Sequence, residues 1–278
     1  MNLAAQEPFR KSKSHKKNSE PNRQNFVTLG IEPSLLFPTA LFNPSSLKAE
    51  NPNFRRQFSL SPRISWRAGL SIRYDLFRLR RSSLSNQFSI ASGLYYNQRQ
   101  WTARVDLWDE AGKKGSVGES RLRFISYEMP LILLLNLQAG DILWLGTGTG
   151  VGVEFFPSQA YVPDEAATIV PQDGYWLCYL ARKNLFVPAF KMQFGAEWRT
   201  EKAGYFYVGF SFHQPLPRMG DAFWRTDVGS DAVHPYPDEA HPAGNPDIPM
   251  RVNGAWLALD MRYFFTPSRA GRSVEILR

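Results

Sequence analysis

The sequence has one cysteine, Cys178, and four histidines among its 278 residues. A lone cysteine excludes an intramolecular disulfide and any cysteine-rich metal knuckle. No apolar run approaches the ~20 residues that a membrane-spanning helix needs, which excludes a helical span. A membrane barrel stays open, because its strands hide their hydrophobicity in alternation. Charged residues are only 21% of the chain against 43% hydrophobic, too little charge for wholesale disorder. The length fits one large domain or two small ones.

Basic residues outnumber acidic ones, 33 to 25. Half of that excess lies in residues 1–24, where Arg10, Lys11, Lys13, Lys16, Lys17 and Arg23 face only Glu7 and Glu20. So polar a segment reads as a basic, disordered N-terminal tail. The remainder is mildly basic, and no nucleic-acid partner is expected. Residues 1–6 (MNLAAQ) lack the apolar stretch of a secretory signal, so no signal peptide is visible. Leu3-Ala4-Ala5-Gln6 nevertheless looks like the end of such a signal joined to a mature start, and the expectation is a true start upstream of Met1.

Alternation organises the rest. In 64–75 (ISWRAGLSIRYD), Ile64, Trp66, Ala68, Leu70, Ile72 and Tyr74 share one parity while Ser65, Arg67, Gly69, Ser71, Arg73 and Asp75 share the other. Successive strand side chains point to opposite faces, so the segment has one apolar and one charged face. The same division recurs in 143–155, 190–199, 205–213 and 255–265, and less cleanly in 26–36, 86–97 and 123–137. These eight candidate strands are each long enough to cross a bilayer at a tilt.

The connections alternate too. Residues 37–61, 98–122, 157–185 and 214–251 are long and rich in Pro, Gly and Asp, whereas 76–85, 138–142 and 200–204 are shorter. An up-and-down membrane barrel has this pattern, with short periplasmic turns and long extracellular loops. On the apolar face, Tyr74, Phe88, Trp198, Phe206, Tyr263 and Phe265 fall near the short turns, and Tyr96, Tyr127, Phe155, Phe190 and Phe212 near the long loops. Two aromatic girdles around an aliphatic band match the two headgroup levels of a bilayer. The fold predicted is all-β: an eight-stranded antiparallel up-and-down transmembrane β-barrel over 25–266, with short tails at 1–24 and 267–278.

The opposite parity then fills the lumen with Glu32, Arg67, Arg73, Asp75, Glu128, Glu154, Lys191, Glu197, Arg199, Asp260 and Arg262. An eight-stranded barrel leaves room only for side chains, so these charges are expected to pair into a network that plugs it. A proton path or ion site is the sharper reading of the same residues, but satisfied networks commonly account for such interiors.

One family resemblance rests on short motifs. Residues 125–135 (ISYEMPLILLL), with Tyr127, Glu128, Met129, Pro130 and Leu131, precede a tight turn and the glycine-alternating strand 144–153 (WLGTGTGVGV). This pairing resembles the PorT-like outer-membrane β-barrel family of Gram-negative bacteria, over roughly 26–265. The resemblance implies an outer-membrane barrel, one branch of which is associated with type IX protein secretion, and brings no catalytic residues. The chain departs from the pattern in lacking a visible signal sequence and in continuing past Phe265 to Arg278.

Other motifs have plain readings. Gly146, Gly148, Gly150 and Gly152 share a face and lack the Gly-Lys-Ser/Thr ending of a phosphate loop, so they make room for bulky neighbours. Pro130 inside a strand calls for a bulge or a locally broken pairing. Ser211 and His213 share the inward face and could begin a nucleophile–base pair with Glu154 as the acid, the basis of an alternative reading as a lipid or ester hydrolase. His234, Asp238, Glu239 and His241 could meet a divalent ion, though a solvated loop explains them more simply. Cys178 reads as a surface or loop-packed thiol.

No cofactor, metal or catalytic residue is expected. The expected partners are the outer-membrane bilayer with its lipopolysaccharide and envelope proteins met by the long loops or the basic tail, with both termini in the periplasm. A non-enzymatic scaffold or interaction protein of the cell envelope, a component of a secretion or envelope complex, is the leading reading. A soluble barrel carrying an apolar ligand is the competing class, and it requires the apolar face to point inward.

Overall fold

The computed structural model describes residues 27–39, 47–51, 56–81, 84–108, 114–157, 160–161, 168–170, 174–200, 203–227 and 248–265. The two tails and the candidate cluster of His234, Asp238, Glu239 and His241 lie outside them. The strands are β1 (Val27–Pro38), β2 (Leu47–Asn51), β3 (Arg56–Arg81), β4 (Leu84–Trp108), β5 (Lys114–Gln138), β6 (Leu143–Phe155), β7 (Ala160–Tyr161), β8 (Thr168–Val170) and β9 (Gly174–Arg182). They continue with β10 (Phe186–Thr200), β11 (Gly204–Pro215), β12 (Gly220–Asp227), β13 (Ile248–Val252) and β14 (Trp256–Phe264).

Eight of these close a ring in the order β1-β14-β11-β10-β6-β5-β4-β3, with β3 returning to β1 over ten antiparallel pairs from Val27↔Tyr74 to Leu36↔Ser65. Each barrel strand lies beside the next in sequence, the up-and-down arrangement. Closure satisfies every ladder internally, which a wall in hydrocarbon must do. Gly204, at a φ of 88°, turns the chain from β10 into β11, a conformation that L side chains avoid. Both described ends of the barrel lie at its short-turn end: Val27 opposite Tyr74, and Phe264 opposite Tyr205.

The apolar parity faces outward. Phe194 is 62% exposed and Leu70 66%, whereas Arg67 and Glu197 are each 2% exposed. This is the reverse of a soluble carrier and is the surface of a transmembrane barrel, because uncovered apolar area on this scale belongs against lipid. Near the long-loop end, Trp66, Tyr96, Tyr127, Phe155 and Phe186 form an unbroken row of ring contacts, 5.3, 5.9, 6.3 and 5.3 Å between successive centroids. At the other end Phe77 stacks on Phe88 at 4.7 Å and Trp198 lies 6.2 Å from Phe206.

The structure corrects several sequence-based expectations. Strands β3, β4 and β5 run for 26, 25 and 25 residues, so the connection expected at 98–122 is mostly a hairpin extending beyond the bilayer. The connection at 76–85 narrows to residues 82–83. The connections at 157–185 and 214–251 contribute a second sheet, β13-β12-β9-β7 with β8 also on β9. Of the two readings for Pro130 the broken pairing holds: the register is the same before and after the gap, Ser92↔Leu131 and Tyr95↔Glu128, so the pairing is interrupted without a bulge. Ser92 Oγ donates to the Pro130 carbonyl at 2.7 Å.

A true bulge lies in β3, where the register shifts between Arg63 and Trp66. It exchanges the two faces. Phe58 and Leu60 point inward before it, and Ser65, Arg67, Ser71 and Arg73 after it. Inside the extension Phe58, Leu60, Trp101, Val105, Leu122 and Phe124 therefore meet Cys178, Leu180, Ala222, Met250 and Val252 of the second sheet in a dry core. That sheet caps the outer end of the barrel.

Two measurements follow. Phe194→Arg puts a cation on the lipid face and should lower barrel stability by about 2–4 kcal/mol, read as a shifted denaturant midpoint in vesicles. Burial pushes the Cys178 thiol well above its ordinary range, so maleimide should label it only once the cap opens; labelling of the folded chain at the rate of a free thiol would contradict this packing.

Candidate functional site

Among the described residues the strands project twelve charged groups into the barrel: Arg67, Arg73, Arg99, Lys191, Arg199 and Arg262 against Glu32, Asp75, Glu128, Glu154, Glu197 and Asp260. All but Arg199 are buried. Six cations offset six anions, and they are arranged in three tiers.

The middle tier centres on Arg67. Its Nη2 donates to Glu32 Oε1 at 2.7 Å and to Asp260 Oδ1 at 2.8 Å, and its Nη1 lies 3.5 Å from Glu128 Oε2. The same guanidinium sits 4.7 Å from the Tyr95 ring centroid and 5.1 Å from that of Trp256, contacts that add attraction in a desolvated setting. Glu32 Oε2 accepts from Tyr95 Oη at 2.8 Å and from Arg262 Nε at 2.5 Å. Lys191 Nζ donates to Glu128 Oε1.

The inner tier, toward the short turns, joins Arg73 to Glu197 at 2.6 Å and to Asp75 at 3.3 Å. Arg199 donates to Glu197 and Gln87, and lies 4.0 Å from the Trp144 ring centroid. In the outer tier Glu154 Oε1 accepts from Arg99 Nη2 at 2.5 Å, Ser126 Oγ at 2.5 Å and Asn97 Nδ2 at 3.3 Å. His213 links outer and middle tiers: Nε2 is 3.3 Å from Glu154 Oε2 and Nδ1 is 3.5 Å from Glu128 Oε1. Its ring stacks on Trp256 at 4.6 Å between centroids and 5° between planes.

Glycines shape this interior. A Cβ at Gly148 would stand 2.6 Å from Leu134 Cδ2, and one at Gly93 2.7 Å from Tyr95 Cε2. Ile132 and Leu134 occupy the space beside the β6 glycines, while the Tyr95 ring lies across Gly69 and Gly93. Tyr207 covers Gly195 and Gly209 in the same way.

The structure places Arg67, Arg73, Glu128, Glu154, Lys191, Glu197, Arg199, Asp260 and Arg262 together in these tiers. Of the girdle positions, Tyr74, Trp198, Phe206, Tyr263, Phe265, Tyr127 and Phe190 are exposed on the outer wall, and Phe88, Tyr96, Phe155 and Phe212 are half-buried there. Ser211 and His213 share the lumen face but do not form a nucleophile–base pair. Both imidazole nitrogens face carboxylates, and Ser211 Oγ is buried with no hydrogen-bond partner among the described residues. Glu154 does lie beside His213, although three donors already hold its other oxygen. Among the described residues no group of three or more His, Cys, Asp or Glu is placed to hold a metal ion.

Sequence reading missed Arg99, because it ended the strand at Asn97. Continuing the parity of Tyr95 and Asn97 by one more step finds it.

No family model matches the chain, and no curated protein aligns with it. Among solved structures it is similar to the outer membrane protease OmpT from Escherichia coli. That likeness has 10% identity, covers 90% of this chain and 99% of that chain, and has a TM-score of 0.33.

Removing one partner of a buried ionic group leaves the others uncompensated, at a cost of about 3–5 kcal/mol. Arg67→Met should therefore destabilise the barrel by that amount in a denaturant titration. Adding Glu32→Gln should return part of the loss, a coupling that a double-mutant cycle measures.

Proposed function

We propose that the chain is an integral outer-membrane barrel acting as a non-enzymatic scaffold of the cell envelope, with both termini in the periplasm. In this reading it belongs to an envelope or secretion complex, and the capped outer extension contacts its partners. The observation that carries the proposal is the filled interior: six cations and six anions, nearly all buried, with a dry core above them. A permeation path needs an aqueous lumen, and a barrel of eight strands with its charges spent on each other has no room for one. The work then falls to surfaces outside the bilayer, where loops and extensions are free of lipid and lumen packing. The similarity of 125–135 and 144–153 to PorT-like barrels supports the secretion branch of the proposal.

Planar-bilayer recording of the purified chain should show no stepwise conductance, and unheated samples should migrate differently in SDS from heated ones. Crosslinking in native membranes followed by mass spectrometry should recover envelope proteins through residues of the extension. Steady ion-selective conductance, or hydrolysis of a lipid ester that Ser211→Ala abolishes, would overturn the proposal.

A further inference from the structure

We infer that the outward wall of the extension carries a site for a phosphorylated glycolipid headgroup, built by Arg63, Arg121 and Arg123; the inference rests on the membrane reading above. Register brings the three together. Arg63 on β3 is the partner of Gln100 on β4, and Gln100 is the partner of Arg123 on β5. One row further out, Ser61, Thr102 and Arg121 align in the same way. With strands about 4.8 Å apart and residues on one face about 7 Å apart along a strand, the Cα atoms of Arg63 and Arg123 stand about 10 Å apart, with Arg121 about 7 Å beyond Arg123. Side chains as long as arginine converge on one anion from such positions.

All three are exposed, and none of their guanidinium groups has a hydrogen bond or ion pair to another described residue. Arg104, on the same wall, is by contrast tied to Asp106 at 2.8 Å. The β3 bulge holds Arg63 in place: Ser65 Oγ accepts from the Gln100 amide at 3.0 Å and donates to the Arg63 carbonyl at 3.0 Å.

Position selects the ligand. Along β5 the outward residues run Tyr127, Ile125, Arg123, Arg121 and then Glu119, so the positive charge begins two outward positions beyond the aromatic row and an acid follows on its far side. Rings of that row sit at the boundary of the acyl region, and headgroup phosphates lie just outside it. An unpaired arginine fork matches phosphate with two parallel hydrogen bonds.

A second observation points the same way. A narrow cleft adjoins Arg63 and Gln100, between the end of β1, the β3 bulge and the segment entering β14, with Leu36, Trp101 and Trp256 in its wall. No carboxylate lines it. Trp256 is 3% exposed, and its Nε1, like Asn253 Oδ1, is buried with no partner among the described residues. A buried donor and a buried acceptor left unmade are costly, and beside apolar walls they suit the hydroxyls and faces of a sugar ring. Phosphate next to sugar at this depth describes a phosphorylated glycolipid of the outer leaflet.

Native mass spectrometry of the folded chain in detergent tests this, with bisphosphorylated lipid A, dephosphorylated lipid A and inorganic phosphate as probes. Bisphosphorylated lipid A should bind, and its affinity should fall about tenfold or more on combining Arg63→Ala, Arg121→Ala and Arg123→Ala. Arg251→Ala on β13 should leave it unchanged. Equal binding of dephosphorylated lipid A, or unchanged binding by the triple variant, would overturn the inference. So would displacement by inorganic phosphate at matching concentration, the mark of a general anion patch. Heat-modifiable migration is run in parallel: its absence from the unsubstituted chain counts against the membrane reading, whereas normal migration with unaltered lipid affinity counts against the headgroup site alone. Should the alanine chain not fold, lysine at the three positions keeps the charge and loses the paired hydrogen bonds, and a several-fold weaker affinity is then the expected result.

Discussion

A charge that loses water inside a closed barrel must find its counter-charge within reach, and that requirement governs this molecule. The interior of eight strands holds side chains and little else. Moving an ion there costs several kcal/mol unless geometry and hydrogen bonds compensate. Arg67 meets this condition by facing Glu32, Asp260 and Glu128 at once. Three carboxylates around one guanidinium would be over-compensated, and Arg262 on Glu32 and Lys191 on Glu128 restore the balance. The neutrality of the interior is thus a local property of each tier as well as a total. A lumen so balanced presents no field to draw an ion through it, and its packing connects all eight strands by side chains as well as by the backbone ladder.

The same wall builds two unlike cores because parity and composition change at one level. On β4 the inward positions run Ser89, Ala91, Tyr95, Asn97 and Arg99, and then become Trp101, Ala103 and Val105. On β5 they pass from Leu122 and Phe124 to Ser126 and Glu128. On β3 the bulge supplies the change of face that the other two strands do not need. Arg99, Glu154, His213 and Trp256 sit at this boundary. Arg99 spans it, with one nitrogen on Glu154 and another on the Gly254 carbonyl at 3.1 Å, in the segment that enters β14. Below the boundary the exterior is apolar and the interior ionic; above it the interior is apolar and the exterior polar, as in a water-soluble sheet protein.

This inversion explains what could be read from the sequence. Within the bilayer, period-two alternation separates two chemically opposite faces, so 64–75, 190–199, 205–213 and 255–265 announce themselves and the barrel follows from counting them. In the extension, alternation persists while the polarity of each parity is exchanged. The strands therefore look as though they stop near Asn97 and start again near Arg123. Gln57 to Ser61 reads as loop for the same reason: the bulge puts Arg63 and Ile64 on the outside in succession, which breaks the period. The cap was illegible on other grounds. Its strands β7, β8 and β13 have two, three and five residues, too short for a period to register, and they gain stability only from the extension they cover. Pairings inside the lumen lie beyond any local pattern, since Arg67 and Asp260 are 193 residues apart.

Four sets of positions exhaust the wall. The lipid face needs apolar side chains, the lumen needs balanced charge, and the inner face of the extension needs bulk without polarity. Only the outward face of the extension is free of these demands, and its composition is informative for that reason. A surface constrained by solubility alone would intersperse both signs. Here Arg63, Arg121 and Arg123 gather on neighbouring strands with a glutamine and a threonine between them; Glu119 follows one outward position beyond Arg121 as the register partner of Arg104, which is itself paired with Asp106. Like charges close together on one sheet face lower stability when nothing intervenes. An anion supplied from outside removes that cost, and of the surfaces around a membrane barrel the headgroup layer is the one that delivers anions at this depth. The unpaired arginines are therefore best understood as half of an interaction whose other half is the membrane.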